Sequence, residues 1–422
     1  MSIPGQGRIS YNNFNWLMPQ SISYPGNSQV VITADGLMRY QSKQVTARGS
    51  EESNRILRFL WSYDDESNIT GIQQDEETAV YQYDNLYRLI DARYTLNDGV
   101  DDHEARTNEA YVYDAVGNRL DKQTSKDDLA LDAWQYNAFN QLTEQNGISY
   151  EYSKNGHLIK SGRKNDNGTI TIDPENQIPL WEFIYNSEER LTEVRKDNTT
   201  VALYQYNPLG QRTSKTLPAD NTTIHYLYSQ EGMVAEYDDA GRLIQEYSWK
   251  PNSVWMTDPL FTRTADDQVH YYLNDHLGTP QKAFRRNGKV TWKAQSSAFG
   301  ETEVWDGSEL RNNLRFPGQY FDAETGLHYN YFRDYAAGLG RYVQGDPIGL
   351  LGGVNAYLYV KNNPLFYIDV DGKVAQIAVG IGVGLFVLKW LDEINSQCKA
   401  FEDLMLRTRH PLKLLERRSQ CR

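Results

Sequence analysis

Two short acidic turns carry the spacing in this chain best suited to chemistry. Asp346-Pro347-Ile348-Gly349 and Asp369-Val370-Asp371-Gly372 are both Asp-x-x-Gly sequences, and their leading aspartates lie 23 residues apart. If folding brings Asp346 and Asp369 together, two like charges resist ionising at once. One carboxyl then stays protonated as an acid while the other activates water. Arg341 is close enough in sequence to serve as their charge partner. Aspartates also cap turns in many loops, so capping alone accounts for the same residues.

Other reactive side chains are scattered. His276 sits between Asn274-Asp275 and Gly278-Thr279-Pro280, a turn-rich setting, with no second His or Cys at metal-ligand spacing. His328 lies in an aromatic run and reads as a packing residue, and Asp322 and Glu324 flank a turn. Cys398, Cys421 and His410 have no recognised ligand or catalytic spacing. No phosphate-cradling glycine loop, HExxH helix or Ser/His/Asp order is present, so no cofactor and no metal is expected.

The elements that must position these groups are written in a tyrosine-rich repeat. The chain has 422 residues, with 30 Tyr against 13 Phe. That usage suits half-wet β-sheets better than a dry helical core. An aromatic-x-Tyr-Asp/Asn unit, followed by turn residues and then Arg/Gln/His-Leu, recurs from Tyr63, Tyr83, Tyr113, Tyr136, Tyr152, Tyr185, Tyr206 and Tyr237. Each copy reads as a β-hairpin. In YQYDNLYRLI, Tyr81 and Tyr83 share a face, Asp84-Asn85 turns, and Leu89 begins the return strand. Stacked hairpins bury a continuous face that one hairpin cannot, so the Tyr–Leu pairs read as packing. An aromatic glycan-binding surface is the rival reading and needs exposed rings. Further on, PGQYFDAETGLHYNYFRDY turns at Pro317-Gly318 and Thr325-Gly326. Its alternation predicts Tyr329, Tyr331 and Tyr335 on one strand face, with Asn330 and Phe332 on the other.

The repeat unit resembles the YD repeat of bacterial RHS proteins, Tc-toxin C subunits and teneurins. Residues 270–302, with Asn-Asp-His-Leu-Gly-Thr-Pro, are similar to an RHS segment. Residues 314–372, with GRYVQGDPIGLLGGVNAYLYVKNNP and the closing IDVDG, are similar to the RHS-associated core. The resemblance implies an all-β fold, a spiralling antiparallel hairpin sheet forming part of a shell, with a short α-helical C-terminal tail. It divides the chain into a partial N-terminal repeat region (1–60), a YD-repeat sheet (61–269), the core (270–373) and a variable tip (374–422). It further implies an aspartyl autoprotease in which Asp346 and Asp369 are catalytic and the chain is cut after Lys373. The second turn departs from the family's Asp-Pro-x-Gly-Leu: Val370 replaces the proline that fixes the turn, and Lys373 replaces the leucine at the cut. Family chains are far longer, so this one is expected to be a C-terminal piece. The implied function is a toxin shell that encapsulates or presents its tip. A non-enzymatic adhesion protein and an inactive remnant are the alternatives.

Composition shifts after residue 373. Residues 374–391, VAQIAVGIGVGLFVLKWL, are long enough for a membrane-spanning helix and equally for a buried one. The remainder, with Phe401, Leu404, Met405 and Leu406, reads as helix interrupted by Pro411. Net charge is −13; the tail from residue 374 carries +3 and the rest −16. The acidic body excludes a nucleic-acid interface, while the basic tail is attracted to it and to anionic membranes. Expected partners are therefore the chain's own tip, an immunity protein by family resemblance, and a glycan or membrane. The N-terminus MSIPGQGRISYNNFNW has no basic region before an apolar run, so no signal peptide is read. The implied setting is bacterial, with secretion or delivery by a dedicated system and membrane association through 374–391. Both cysteines lie in the last 25 residues, so the body is held without disulfides.

Overall fold

The hairpin repeats pair edge to edge into two long antiparallel meanders. The computed structural model describes residues 2–3, 6–16, 18–47, 55–97, 106–124 and 134–377. A ten-stranded sheet runs from Ser10–Asn15 to Arg119–Thr124, and a seventeen-stranded sheet from Gln135–Tyr136 to Thr302–Val304, in sequence order, with Leu158–Lys164 also pairing Trp181–Tyr185 past the short strand Ile170–Thr171. Strand Arg55–Tyr63 crosses residue 60 and strand Val269–Asn274 crosses residue 270, so the hairpins continue through both positions. Among the described residues the helical segments are two short 3-10 turns, Gly349–Leu351 and Val360–Asn362. The all-β reading of the sequence is correct.

In the repeat turns a side-chain oxygen accepts the backbone N–H four residues on, at Asp84 and Asp114 as at Asn186 and Asn207, and the Asp84 turn adds an arginine. Asp84 Oδ1 accepts from the backbone N–H groups of Leu86 and Arg88, and Arg88 Nε donates back to Asp84 Oδ2 at 2.6 Å. Tyr87 takes a φ of +61°, and Gly117 takes +87° at the equivalent place in the next repeat. Across the turn, Tyr83 pairs directly with Leu89, and the register then slips by one residue before Asp91. The same slip follows Tyr63, Tyr113, Tyr185 and Tyr206. It is a β-bulge, which takes a residue out of the ladder and increases the local twist.

The repeat tyrosine joins one hairpin to the one before it. Tyr113 Oη donates to the Leu89 carbonyl at the preceding bulge (2.8 Å), and Tyr83 Oη to Ile69 (2.8 Å). Tyr185 and Tyr206 reach Leu158 and Leu191 in the same way, at 2.9 and 2.7 Å. The turn arginine of one repeat also stacks over the tyrosine of the next, Arg39 on Tyr63 at 4.3 Å and Arg88 on Tyr113 at 5.0 Å. The ring therefore packs inside while its hydroxyl satisfies a backbone group.

Residues beyond the second meander fill the space between the sheets. Phe316, Tyr335, Tyr342, Tyr359, Phe366, Ile368 and Val370 pack with Phe59, Tyr81 and Tyr111 of the first sheet and Tyr271 and Phe284 of the second. Tyr320 and Tyr329 join Tyr226, Tyr247 and Trp292, and Leu327, Ala336 and Val343 join Leu158, Leu191 and Tyr204. The two sheets also meet directly: Lys43 Nζ donates to the Asn274 carbonyl at 2.6 Å, and Arg106 Nη1 to that of Ser296 at 2.6 Å.

A buried ion cluster fastens this filling to the second sheet. Arg212, 1% exposed, forms a forked pair with Asp322 at 2.6 and 3.2 Å, and Lys215 Nζ bridges Asp322 (2.9 Å) and Glu324 (3.1 Å). Burial alone would raise the proton affinity of Asp322; Arg212 and Lys215 overcome it and hold the carboxyl below its usual range. Burial and the Asp322 charge push Glu324 the other way. Removing one member of a fully buried pair leaves an uncompensated charge. Arg212→Met should therefore cost about 3–5 kcal/mol, at the low end because Lys215 stays. Urea unfolding would measure this, and adding Asp322→Asn should recover much of the loss.

Candidate active site

Both acidic turns form, and one arginine brings them together. The core contains a four-stranded sheet of Tyr320–Asp322, Leu327–Asn330, Arg333–Ala336 and Arg341–Tyr342. Tyr331 has a φ of +54°, so the aromatic run folds into a tight hairpin with Tyr329 opposite Asp334. This corrects the single-strand reading of Tyr329, Tyr331 and Tyr335: a chain reversal at Tyr331-Phe332 separates them. The reversal puts Arg333 first on the return strand, with its side chain 2% exposed.

Arg333 Nη2 lies 3.2 Å from Asp346 Oδ2 and 3.3 Å from Asp369 Oδ2. Its Nη1 donates to the Ala356 carbonyl at 3.1 Å and its Nε to the Gly372 carbonyl at 2.5 Å. The guanidinium stacks 3.7 Å over the Tyr342 ring. Arg341, the partner expected from sequence, sits elsewhere: its Nη2 donates to the Asn140 carbonyl, and its guanidinium packs on the rings of Tyr136 and Tyr357. Arg341 pairs with Ala336 across the core sheet, and its side chain runs to the repeat hairpin of Tyr136 and Asn140. Sequence reasoning missed Arg333. The available signal was a lone cation inside an aromatic strand, which needs an anion when buried.

The two carboxylates are held differently. Asp369 Oδ1 accepts from the N–H groups of Gly372 (2.9 Å) and Lys373 (3.0 Å), and its Oδ2 from Tyr342 Oη (2.8 Å). The same Tyr342 hydroxyl accepts from Asn330 Nδ2, which also donates to the Asp369 carbonyl. Asp346 Oδ1 accepts only the Ile348 N–H, at 3.0 Å, and the adjoining Leu350 and Leu351 are 83% and 90% exposed. The Asp346 side chain is 6% exposed against 3% for Asp369, so both carboxyls are enclosed, with Asp346 the less tightly held. Burial raises its proton affinity, Arg333 opposes this, and the Asp369 charge adds to the rise. Turn capping and pairing therefore occur in the same residues.

Close approach shapes the second turn. A Cβ on Gly318 would stand 2.1 Å from the Val370 carbonyl oxygen, and Gly318 has a φ of +84°. Tyr367–Ile368 and Gln376–Ile377 pair antiparallel, so residues 369–375 form the loop of a hairpin with Lys373 within it. Lys373 Nζ sits 3.3 Å over the Phe332 ring, and Val374 is exposed. The strand at Gln376–Ile377 corrects the expected helix start at residue 374. The rest of that apolar run, and the tail with Cys398, His410 and Cys421, lie outside the described residues. Within those residues no helix is long and apolar enough to cross a membrane.

The remaining candidates are packing groups. His328 Nδ1 pairs with Gln319 Oε1 at 2.8 Å between Phe321 and Tyr335, and burial lowers its pKa to about 3. His276 Nε2 pairs with the Leu365 carbonyl at 2.9 Å and borders a cavity of about 180 Å³ shared with Tyr11, Lys43 and Asp258. Among the described residues no three His, Cys, Asp or Glu side chains gather as a metal site.

These features define a YD-repeat β-shell closed by a core segment that carries a paired-carboxylate site. The teneurin YD-shell family matches residues 10–364, and the chain belongs to it. It is similar to "Probable deoxyribonuclease RhsA" of Dickeya dadantii (strain 3937), 27% identical over 316 residues, covering 74% of this chain and 20% of that protein. "Double-stranded DNA deaminase toxin A" of Burkholderia cenocepacia (strain H111) is 28% identical over 329 residues, covering 71% and 21%. The chain thus spans about a fifth of the length of these relatives. The crystal structure of TcdB2-TccC3-Cdc42 shares the fold, with a TM-score of 0.57 and 17% identity over 88% of this chain and 20% of that one.

Asp334, next to Arg333, provides a pH test of this region. Burial raises its pKa to about 6, with Gln344 Nε2 donating to its Oδ2 at 2.6 Å. A carboxyl whose folded value lies above its unfolded one binds its proton more tightly when folded. Stability therefore falls as pH rises from about 4 to 6 and stays lower above that range. Asp334→Asn should flatten this dependence by about 3 kcal/mol, measured as urea midpoints near pH 4 and pH 7.

Proposed function

We propose that this chain is the shell-and-core portion of an RHS-type toxin that presents or encapsulates its own C-terminal tip and releases it by aspartyl autoproteolysis after Lys373. The observation that carries the reading is the junction itself. Asp346 and Asp369 meet on Arg333, and Asp369 holds the amides of Gly372 and Lys373, next to the bond proposed for cleavage. Asp346, the less tightly held carboxyl with the raised proton affinity, carries the proton; Asp369 accepts one from the attacking water. Water supplies a hydroxyl to the Lys373 carbonyl carbon, the C–N bond to Val374 breaks, and the Val374 nitrogen leaves with a proton.

Toxin activity enters through the relatives named as a deoxyribonuclease and a DNA deaminase, and the proposal assigns no such activity to residues 10–373. The tip, an immunity protein that neutralises it, and delivery between bacterial cells belong to the same proposal. The glycan-binding alternative needs exposed repeat tyrosines. The repeat tyrosines Tyr83, Tyr113, Tyr185 and Tyr206 are instead half-buried with their hydroxyls bonded to backbone carbonyls, and Tyr81, Tyr111 and Tyr204, two residues before three of them, are between 3% and 4% exposed, which favours the shell reading.

Intact mass of the purified chain beside Asp346→Asn and Asp369→Asn tests the mechanism. The wild type should yield a fragment ending at Lys373, and both variants should stay whole. Whole wild-type protein after prolonged incubation across the acid-to-neutral range would remove autoproteolysis and leave a shell with a fused tail.

A further inference from the structure

We propose that the cavity between the two sheets is a binding site for a small monocarboxylate with an apolar body, its carboxylate held by Lys43. Cleavage after Lys373 plays no part in this binding.

Three parts of the chain meet around the cavity. Tyr11, Val30, Ile32 and Lys43 come from the first sheet, Ser253, Asp258, Leu260 and residues 274–277 from the second sheet and its connections, and Ile368 from the core. Val30, Ile32, Leu260, Leu277 and Ile368 are all buried and give the cavity an apolar wall. The volume is about 180 Å³. A cavity of about 150 Å³ holds benzene, so a ring or a short branched chain fits here together with a small head group.

The polar part of the lining has hydrogen-bonding capacity left over. Lys43 Nζ gives one of its protons to the Asn274 carbonyl at 2.6 Å. Among the described residues no carboxylate pairs with it: Asp258 is paired with Lys250 at 3.5 Å, and Asp275 accepts from the N–H groups of Leu277 and Thr279 and from Gln281 Nε2. Asp258 and Asp275 act on Lys43 only at longer range. Burial outweighs them and holds the ammonium below its usual range. The hydroxyls of Tyr11 and Ser253 are buried without a partner among the described residues. His276 Nε2 donates to the Leu365 carbonyl, which leaves Nδ1 an acceptor, and burial keeps the ring neutral, so the histidine adds no charge.

The surplus is therefore one positive charge with two hydroxyls beside an apolar space, which a carboxylate on a hydrocarbon complements. A phosphate would bring excess negative charge to a single ammonium, and a neutral ligand would leave that ammonium uncompensated. Residues 274–280, Asn-Asp-His-Leu-Gly-Thr-Pro, stand apart from the repeat in the sequence. Here they supply the carbonyl that orients Lys43 and part of the apolar wall. A ligand in this position touches both sheets and the core, so its binding should stabilise all three against unfolding.

The test uses the full chain with benzoate and 3-methylbutanoate as probes, and with toluene and benzamide as uncharged controls. Calorimetric titration should show saturable binding of both carboxylates with a stoichiometry of one, and the unfolding temperature should rise with their concentration. Benzamide has the shape of benzoate without its charge and should bind more weakly by about tenfold or more. In carbon-13 lysine-labelled protein, benzoate should shift the Lys43 signal, assigned by its loss in Lys43→Met. That variant should weaken benzoate binding by about tenfold or more and leave toluene binding unchanged. It removes an uncompensated buried charge, so it is expected to fold. Should it not, Tyr11→Phe decides, with benzoate weakened by about threefold or more and toluene unchanged. Equal affinity for benzoate and benzamide, or an unmoved Lys43 signal at saturating benzoate, overturns the proposal. No binding of either carboxylate at millimolar concentration overturns it too and leaves a cavity that holds water alone.

Discussion

The architecture depends on one recurrent hydrogen bond, from the repeat tyrosine's hydroxyl to the carbonyl at the bulge of the hairpin before it. A β-bulge twists a strand but leaves backbone groups out of the ladder, and a buried carbonyl without a partner is costly. Tyr113 on Leu89 and Tyr206 on Leu191 remove that cost while burying an aromatic ring in the same step. Phenylalanine would bury the ring and strand the carbonyl. This explains the excess of tyrosine over phenylalanine in chemical terms. It also makes the repeats cooperative, because each hairpin completes its predecessor.

The same constraint determines what can fill the space between the sheets. The repeats present tyrosine rings and stacked arginines on their inner face, so the filling must be both aromatic and able to answer charge. Residues 316–370 do this with Tyr335, Tyr342 and Tyr359 packed on one another and with Asp322 placed on Arg212. The paired aspartates are themselves enclosed, and the chain reaches solvent a few residues beyond Asp346, at Leu350 and Leu351. Enclosure is what raises the proton affinity of the Asp346 carboxyl against the pull of Arg333.

Charge pairing at depth distinguishes the two acidic clusters. Asp322 and Glu324 face two cations, Arg212 and Lys215, and are neutralised in place. Asp346 and Asp369 have one guanidinium between them, which leaves the pair a net negative charge. A cluster with matched charges fastens; a cluster short of one cation has a proton to gain. Sequence distance does not reveal this difference, since all four carboxylates stand in similar turn contexts.

What the sequence determined by itself was local and periodic. The Tyr-Asp turn, its glycine or positive-φ residue, the return strand and the all-β meander follow from side-chain alternation and turn chemistry acting within about ten residues. The two Asp-x-x-Gly turns were legible for the same reason. Tertiary structure decided the rest. The reversal at Tyr331-Phe332 depends on an unusual backbone angle inside a run that alternates like a strand. The choice of Arg333 over Arg341 depends on which strand face meets the turns after the chain has folded back. Asp346 and Asp369 are 23 residues apart in sequence, and only that packing places one guanidinium between them. Alternation records which face a residue occupies, whereas the partner it meets there is set by how the sheets close around the core.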